Sequence, residues 1–202
     1  MKGLADTTFR FLRNLRRPAK DANLALLRTR SETVESLLIR EATSSDIPAL
    51  ARLHVTTWNA TYGRIGPTYE IRERQWREAF GQVDRSWFCF VIERSNGELI
   101  GFAKGTKYAH SDLRDFAGEL NKIYLLREYQ RVGLGRRLVG HVARRFLAQG
   151  IGTMVLFGEP SNPSCACWEA LGGERLHNSR GGFDGAYGWR DLQRLASICR
   201  VE

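Results

Sequence analysis

No apolar run in this sequence approaches the roughly 20 residues that a membrane-spanning helix needs. The longest, WFCFVI at 87–92, has the length of a strand. No long apolar segment follows the basic N-terminus, which argues against a secretory signal. Cysteine is scarce: Cys89, Cys165, Cys167 and Cys199 are too few and too unevenly placed for a disulfide framework. Cys165 and Cys167 form a C-x-C pair, but no second Cys or His pair stands at zinc-site spacing, so no metal is expected. A reducing, cytoplasmic setting is the expectation. Internal repeats and low-complexity tracts are absent.

What is present suffices for one domain with a full core: 202 residues, 43% of them hydrophobic. The net charge of +9 is lopsided. Residues 1–30 hold Lys2, Arg10, Arg13, Arg16, Arg17, Lys20, Arg28 and Arg30 against Asp6 and Asp21, so most of the basicity belongs to the N-terminus. The chain divides into a basic extension, residues 1–36, helical or disordered, and a domain over 37–202. Phe9, Phe11, Leu12 and Leu15 interleave with arginines as in an amphipathic helix. The extension has several readings: a solvated tail, a helix docked on its own domain, or an arm for nucleic acid or a membrane surface.

The periodic part begins near Leu37. LLIREA reads as a strand, and the following segment to Gly63 as a helix capped by Thr43, Ser44 or Ser45, with Pro48 tolerable only near its start. Residues 67–81 read as a second, charged helix. Residues 86–108 read as a hairpin about Asn96-Gly97, a pair that accepts φ > 0 at both turn centres. GELNKIYLL (118–126) reads as a strand. A helix to about Gln149 follows, with Leu134, Leu138, Val139, Val142, Phe146 and Leu147 on one face. A strand at 153–160, a short helix at 161–173, and two strands at roughly 174–180 and 183–190 complete the domain. The plan is α/β of the α+β type: a mixed, mostly antiparallel sheet of about 6–7 strands flanked by helices. The strand–helix–strand unit 118–157 implies one parallel pair.

Between strand and helix lies YQRVGLGRRL (129–138), with Gln130, Gly133 and Gly135 in a Q-x-x-G-x-G pattern. It is neither G-x-G-x-x-G nor a P-loop. Such a loop points its backbone N–H groups at one spot ahead of the helix's positive end, which is an anion site suited to phosphate. Glycines let a phosphate approach without a Cβ in the way. At average composition the pattern arises by chance roughly 0.2 times in a chain of this length, so its placement carries more than its letters.

Over about residues 37–192 the chain resembles a GNAT-superfamily N-acetyltransferase. GELNKIYLLREYQRVGLGRRLV is similar to that family's acetyl-CoA-binding strand, loop and helix. NPSCACWEALGG is similar to its downstream N-P-A-x-x-F-Y-E-x-L-G-G segment, LIREATSSDIPALARLH to its first strand and helix, and AYGWRDL to the closing strand of many small-molecule members. The resemblance implies a GNAT-like fold and an acetyl-CoA-dependent N-acetyltransferase. Backbone amides from Arg131 through Val132, Gly133, Leu134 and Gly135 to Arg136 would hold the pyrophosphate. The pantetheine arm would pair with backbone at Leu125 and Leu126, and Asn162 would contact it. Acetyl-CoA is the co-substrate, with no metal. Two-fold pairing is common in the family, so a homodimer is within its range.

The acceptor's chemistry sets what else is needed. A lysine-like amine is only about 0.04% neutral at pH 7, so a base or a water chain helps it attack the thioester. Glu119 stands where the resemblance implies a strand glutamate acting as base through water; as a bare residue it is a surface Glu at a strand start. The family's proton donor to the thiolate is a Tyr; here that position is Trp168, whose N–H is no useful acid. Trp168 remains a cofactor-side residue, and Tyr124 and Tyr187 become candidate donors. Trp58, Tyr62, Trp76 and Tyr187 are candidates for the pocket of a small-molecule or protein amine. His54 and His110 show no partner in the sequence and read as structural or exposed. The alternative is a catalytically silent module that senses acyl-CoA and uses its basic arm on nucleic acid or a membrane.

Overall fold

The computed structural model describes residues 19–200, apart from residues 85, 161, 163 and 164. Residues 19–29 form helix α1. Then come β1 (Leu38–Glu41), α2 (Ile47–Tyr62), α3 (Tyr69–Gly81), β2 (Trp87–Glu93), β3 (Leu99–Lys107), β4 (Gly118–Leu125), α4 (Leu134–Ala148), β5 (Met154–Phe157), α5 (Cys165–Ala170), β6 (Glu174–Leu176), β7 (Ala186–Trp189) and α6 (Leu192–Ile198). The strands form one sheet in the order β1-β2-β3-β4-β5-β7-β6. Among the described residues only β4 and β5 run parallel; every other neighbouring pair is antiparallel. This is the mixed, mostly antiparallel plan that the sequence pattern anticipates. Among the described residues no helix is long and apolar enough to cross a membrane.

Each face of the sheet carries its own core. On one face α4 brings Leu134, Leu138, Val139, Val142 and Phe146 onto Phe88, Phe90, Ile100 and Leu120. Leu27 of α1 and Leu192 and Leu195 of α6 join this cluster. On the other face α2 and α3 seat Leu50, Leu53 and Trp76 against Cys89, Val91 and Phe102. The start of α2 is pinned electrostatically. The Arg40 guanidinium binds both Asp46 carboxylate oxygens at 2.8 Å, and the Thr43 N–H donates to the same carboxylate at 2.7 Å. The Arg40 contact holds the Asp46 carboxyl below the usual carboxylate range.

Three local expectations need correction. The β2–β3 hairpin forms, but Gly97 alone takes a positive φ, +84°, and Asn96 does not. The Gly97 N–H donates to Arg94 O and the Arg94 N–H to Glu98 O, so the connection is a type I turn closed by a left-handed glycine rather than a two-residue turn. The last two strands are shorter than expected. Asn178 draws residues 178–182 into a side-chain-bonded loop, its Oδ1 accepting from the N–H groups of Arg180 and Gly182. The domain also does not end at the final strand. Asp191 caps α6 by accepting from the Arg194 N–H at 3.0 Å, and Leu192, Leu195 and Cys199 turn inward.

Helix α6 explains a glycine inside α4. A Cβ on Gly140 would lie 2.3 Å from the Cys199 carbonyl oxygen, so α6 crosses α4 at backbone contact. Arg144 then ties the crossing, donating to Cys199 O at 2.9 Å and Ala196 O at 2.7 Å. Helix propensity alone would make Gly140→Ala stabilising by about 1 kcal/mol. The contact reverses the sign: overpacking should cost about 1–3 kcal/mol. A urea melt of Gly140→Ala beside wild type checks this, and a higher midpoint for the variant would contradict the packing.

Candidate active site

The site is built around β4. At its C-terminal end the chain makes a short 3-10 turn over Arg127–Tyr129 and enters the glycine loop. Arg131 takes φ +66° and Gly133 φ +99°, so two left-handed residues bend the loop back toward α4. The first hydrogen bond into α4 is donated by the Arg137 N–H to Gly133 O at 3.1 Å. The N–H groups of Leu134, Gly135 and Arg136 therefore precede the helical ladder and sit at the positive end of a 15-residue helix. No heavy atom outside its chain neighbours lies within 4 Å of a Cβ built on Gly133, and the Leu125 side chain is the nearest neighbour of one on Gly135, at 3.5 Å. Open space, orphan amides and the exposed Arg131 and Arg136 fit a pyrophosphate.

The N-terminal segment holds this loop in place. Asn23 of α1 donates to Arg127 O at 3.1 Å and to Gln130 O at 2.9 Å. Arg30 donates to the Tyr129 hydroxyl at 2.7 Å, and that hydroxyl donates to Glu32, which Arg94 pairs at 2.5 Å. Arg137 donates to Val34 O at 2.6 Å. From inside the loop, the Gln130 amide donates to Leu125 O at 3.0 Å. The part of the basic extension from residue 19 onward is thus packed against the loop. Residues 1–18, including Phe9, Phe11, Leu12 and Leu15, lie outside the described residues.

Beside the loop the sheet parts. β4 has eight residues but pairs with β5 only at Gly118–Met154 and Glu119–Val155. On its other side β4 stays paired, and the Leu126 N–H still donates to Ile100 O in β3 at 2.9 Å. Leu125, the last residue of β4, and Leu126 after it thus stand beside the opening between the two strands. Asn162 lies in the turn after β5, its N–H donating to Glu159 O. Trp168 of α5 is buried, its ring edge-on to Trp189 at 6.3 Å. Tyr187 is fully buried in the α4-side core with its hydroxyl 3.2 Å from Glu169 Oε1, and burial pushes its phenol up to about 12. The structure separates Tyr187 from Trp58 and Tyr62, which stand on α2 with rings 4.7 Å apart.

A bulge assembles the remaining residues. In strict alternation Glu119 and Tyr124, five apart, would face opposite sides of the sheet. Here Asn121 has no opposite residue in β3: Leu120 faces Gly105 and Lys122 faces Lys104. The register then sets Glu119 against Thr106, Lys122 against Lys104 and Tyr124 against Phe102. Thr106, Lys104 and Phe102 alternate on one face of β3, so Glu119, Lys122 and Tyr124 share the face covered by α2 and α3. The Asn121 side chain bridges the group, donating to Glu119 Oε1 at 2.8 Å and accepting from Lys122 Nζ at 2.7 Å. Burial, with Tyr62 beside it, pushes the Tyr124 phenol well above its ordinary value.

Four residues at this face are missed by sequence reasoning as site residues: His54, Arg72, Lys104 and Lys122. His54, read as structural or exposed, is buried with its ring 5.3 Å from those of Phe102 and Tyr124. Burial, with Arg72, Lys122 and Lys104 adding positive charge, pushes it down to about 3. Burial, Lys104 and Arg72 push Lys122 down to about 8. The available signal was Lys104, which alternates with apolar residues in LIGFAKGTK where one face is buried. Among the described residues no group of His, Cys, Asp and Glu is placed to hold a metal ion.

Two outcomes follow from this geometry. Gly133→Val places a branched side chain at φ +99°. It should abolish the thermal shift given by acetyl-CoA, which for the wild type at 100 times Kd is about 5–10 °C, while the fold persists. A retained shift would refute the loop assignment. His54 binds its proton less readily when folded than when unfolded, near 6.5. Its contribution to stability is therefore complete above that value and is lost as pH falls toward about 3. Denaturant melts of His54→Asn across this range should show a flatter acid limb than wild type; parallel limbs would mean that His54 is not the group involved.

Comparison with known proteins places this geometry. Residues 47–172 match the acetyltransferase (GNAT) family. An uncharacterized N-acetyltransferase of Bacillus subtilis (strain 168), YuaI, is 30% identical over 172 residues, spanning 79% of this chain and 96% of that protein. A phosphinothricin N-acetyltransferase of Streptomyces viridochromogenes is 26% identical over 162 residues, 76% of this chain and 83% of that protein. Among solved structures, PaiA N-acetyltransferase from Thermoplasma acidophilum in complex with coenzyme A shares the fold at TM-score 0.57 and 19% identity, covering 76% of this chain and 98% of that one. The spermidine/spermine N-acetyltransferase SpeG from Vibrio cholerae does so at TM-score 0.55 and 14% identity, covering 82% and 99%. The amide-lined loop, the parted strands and these matches identify the chain as a member of the acetyltransferase (GNAT) family, an acyltransferase that uses acetyl-CoA.

Proposed function

We propose that the chain transfers an acetyl group to a primary amine by direct attack within a ternary complex. The observation that supports this reading is that one strand joins the glycine loop to the face bearing Glu119 and Tyr124. β4 ends in the amide-lined loop beside the parted strands, and its bulge turns Glu119 and Tyr124 onto a face lined by α2 and α3. Acetyl-CoA supplies a thioester whose acyl carbon accepts the amine and whose thiolate leaves. Loop amides from Arg131 to Arg136 hold the pyrophosphate, Leu125 and Leu126 offer backbone to the arm, and Asn162 and Trp168 flank it from beyond β5. Glu119 takes the amine's proton through water as the nitrogen–carbon bond forms. Tyr124, whose raised phenol stays protonated at neutral pH, gives its proton to the thiolate as the carbon–sulfur bond breaks. Trp58 and Tyr62 line the approach of the amine.

The acceptor in this reading is a small-molecule or protein amine. The phosphinothricin N-acetyltransferase relative favours a small molecule. A reducing, cytoplasmic setting accords with Cys89, Cys165, Cys167 and Cys199 all being unpaired. A homodimer would use the sheet edges at β1 or β6. Contact of residues 1–30 with nucleic acid or a membrane would leave out Arg30, which is engaged with Tyr129.

Glu119→Gln keeps the shape and removes the base. Turnover should fall by roughly 10²–10⁴, with the acetyl-CoA thermal shift intact and the alkaline dependence of kcat/KM altered. Unchanged turnover would remove Glu119 from the mechanism.

A further inference from the structure

The α2/α3 face of the site holds more positive charge than its own side chains balance. Lys104 and Lys122 stand directly opposite each other in β3 and β4, an arrangement that repels. Arg72, on α3, is buried at 8% exposure, and its charge acts on Lys122, His54 and Tyr124. The Glu119 carboxylate acts on both lysines, and the Asn121 amide already engages it. Burial lowers the affinity of Arg72 and of both lysines for their protons, so holding three charges here costs stability.

The same face also holds buried polar atoms with no partner: Arg72 Nε, Trp76 Nε1 and His54 Nδ1. Trp76 and His54 are 4% and 2% exposed, and their rings lie 6.1 Å apart. Arg72 spends one N–H on Gln75 at 3.0 Å and leaves the Nε–H unused. Buried groups of this kind ordinarily find partners. Two of the three are obligate donors, so what they await is an acceptor, and the surrounding charge makes it an anion.

We infer that the acceptor amine carries an oxyanion in the same small molecule, a carboxylate or a phosphorus oxyanion, which docks on Arg72, Lys104, Lys122 and the Trp76 N–H. This rests on the acetyl-transfer reading and gives its substrate class. Lys122 is two residues from Tyr124 and joined to Glu119 through Asn121. Lys122, one of the four proposed anchors, is therefore within the span of one amino-acid-sized molecule from the proton-handling pair. An amine of that kind is drawn in by its anion and held with its nitrogen toward Glu119. A polyamine, with further ammonium groups, is repelled by the same three cations.

The test is a binding titration on the full chain in the presence of CoA, run beside turnover with acetyl-CoA. The probes are the common amino acids and a set of aminophosphonates and aminophosphinates, each anionic group matched by its amide or ester, with spermidine and putrescine as cationic controls. At least one anionic amine should bind ten-fold or more tightly than its neutral counterpart, and the polyamines weakly. The preferred series tells carboxylate from phosphorus oxyanion. Lys122→Gln should raise KM for that amine at least ten-fold, with kcat and the acetyl-CoA shift much less changed, and should narrow the gap to the neutral counterpart. Arg72→Lys, which retains charge in a shorter reach, serves where Arg72→Met does not fold. Equal binding of anionic and neutral forms, or preference for a polyamine, overturns the inference even if acetylation occurs. Tight binding of the anionic amine without acetylation supports the pocket and counts against the transfer reading.

Discussion

One residue without a partner governs the geometry of this site. Asn121 interrupts the pairing of β3 with β4, and the phase of every side chain on one side of it is shifted relative to the other. Without the bulge, Glu119 would face the α4 core and Tyr124 the α2 core, with the sheet between them. With it, both look toward the same helices, and Asn121 uses its own amide to hold Glu119 and Lys122. The bulge leaves Leu120, Ile123 and Leu125 packed into the α4-side core, so the strand loses little burial by bending. A β-bulge next to reacting groups is a common way to re-aim a side chain without a new element.

The two cores divide the labour. The α4 side is thick and closed, with Phe146, Leu138 and Met154 wholly buried, and it fixes the helix whose N-terminus faces the loop. The α2/α3 side is smaller and mixes aromatic rings with cations. Lys104 lies 4.8 Å from the Trp87 ring centre and 5.9 Å from that of Trp76, ring contacts that shelter a half-buried charge. The fold tolerates an expensive polar cluster on one face because the other face supplies the stability.

What the sequence makes legible follows the range of each interaction. The glycine loop, the α4 periodicity and the apolar strands are local, and they stand nearly where their patterns put them. Glu119 could be picked out from a family resemblance and Tyr124 as a nearby tyrosine to replace the donor missing at Trp168, but not their shared face, because a bulge is defined by the opposite strand. Lys104 against Lys122 is likewise a pairing fact separated by 18 positions of chain. Arg72 reads in EIRERQWREAF as one more solvated charge, since helical spacing does not say that this turn faces inward. Helix α6 was readable from Asp191 and the spacing of Leu192, Leu195 and Cys199. It is short, though, and Gly140, which makes room for it, looks like an ordinary weak spot in α4. Tyr187 shows the opposite failure: a tyrosine in a recognisable closing strand whose hydroxyl turns out to serve Glu169.

Asn23, Arg30 and Glu32 lie before the matched residues 47–172, yet they brace the turn that leads into the loop. Bracing of this kind works in both directions. If docking of α1 raises the loop's affinity for a bound anion by some factor, the bound anion raises the docking constant of α1 by the same factor. On that condition the N-terminal helix is linked thermodynamically to occupancy of a site it does not line.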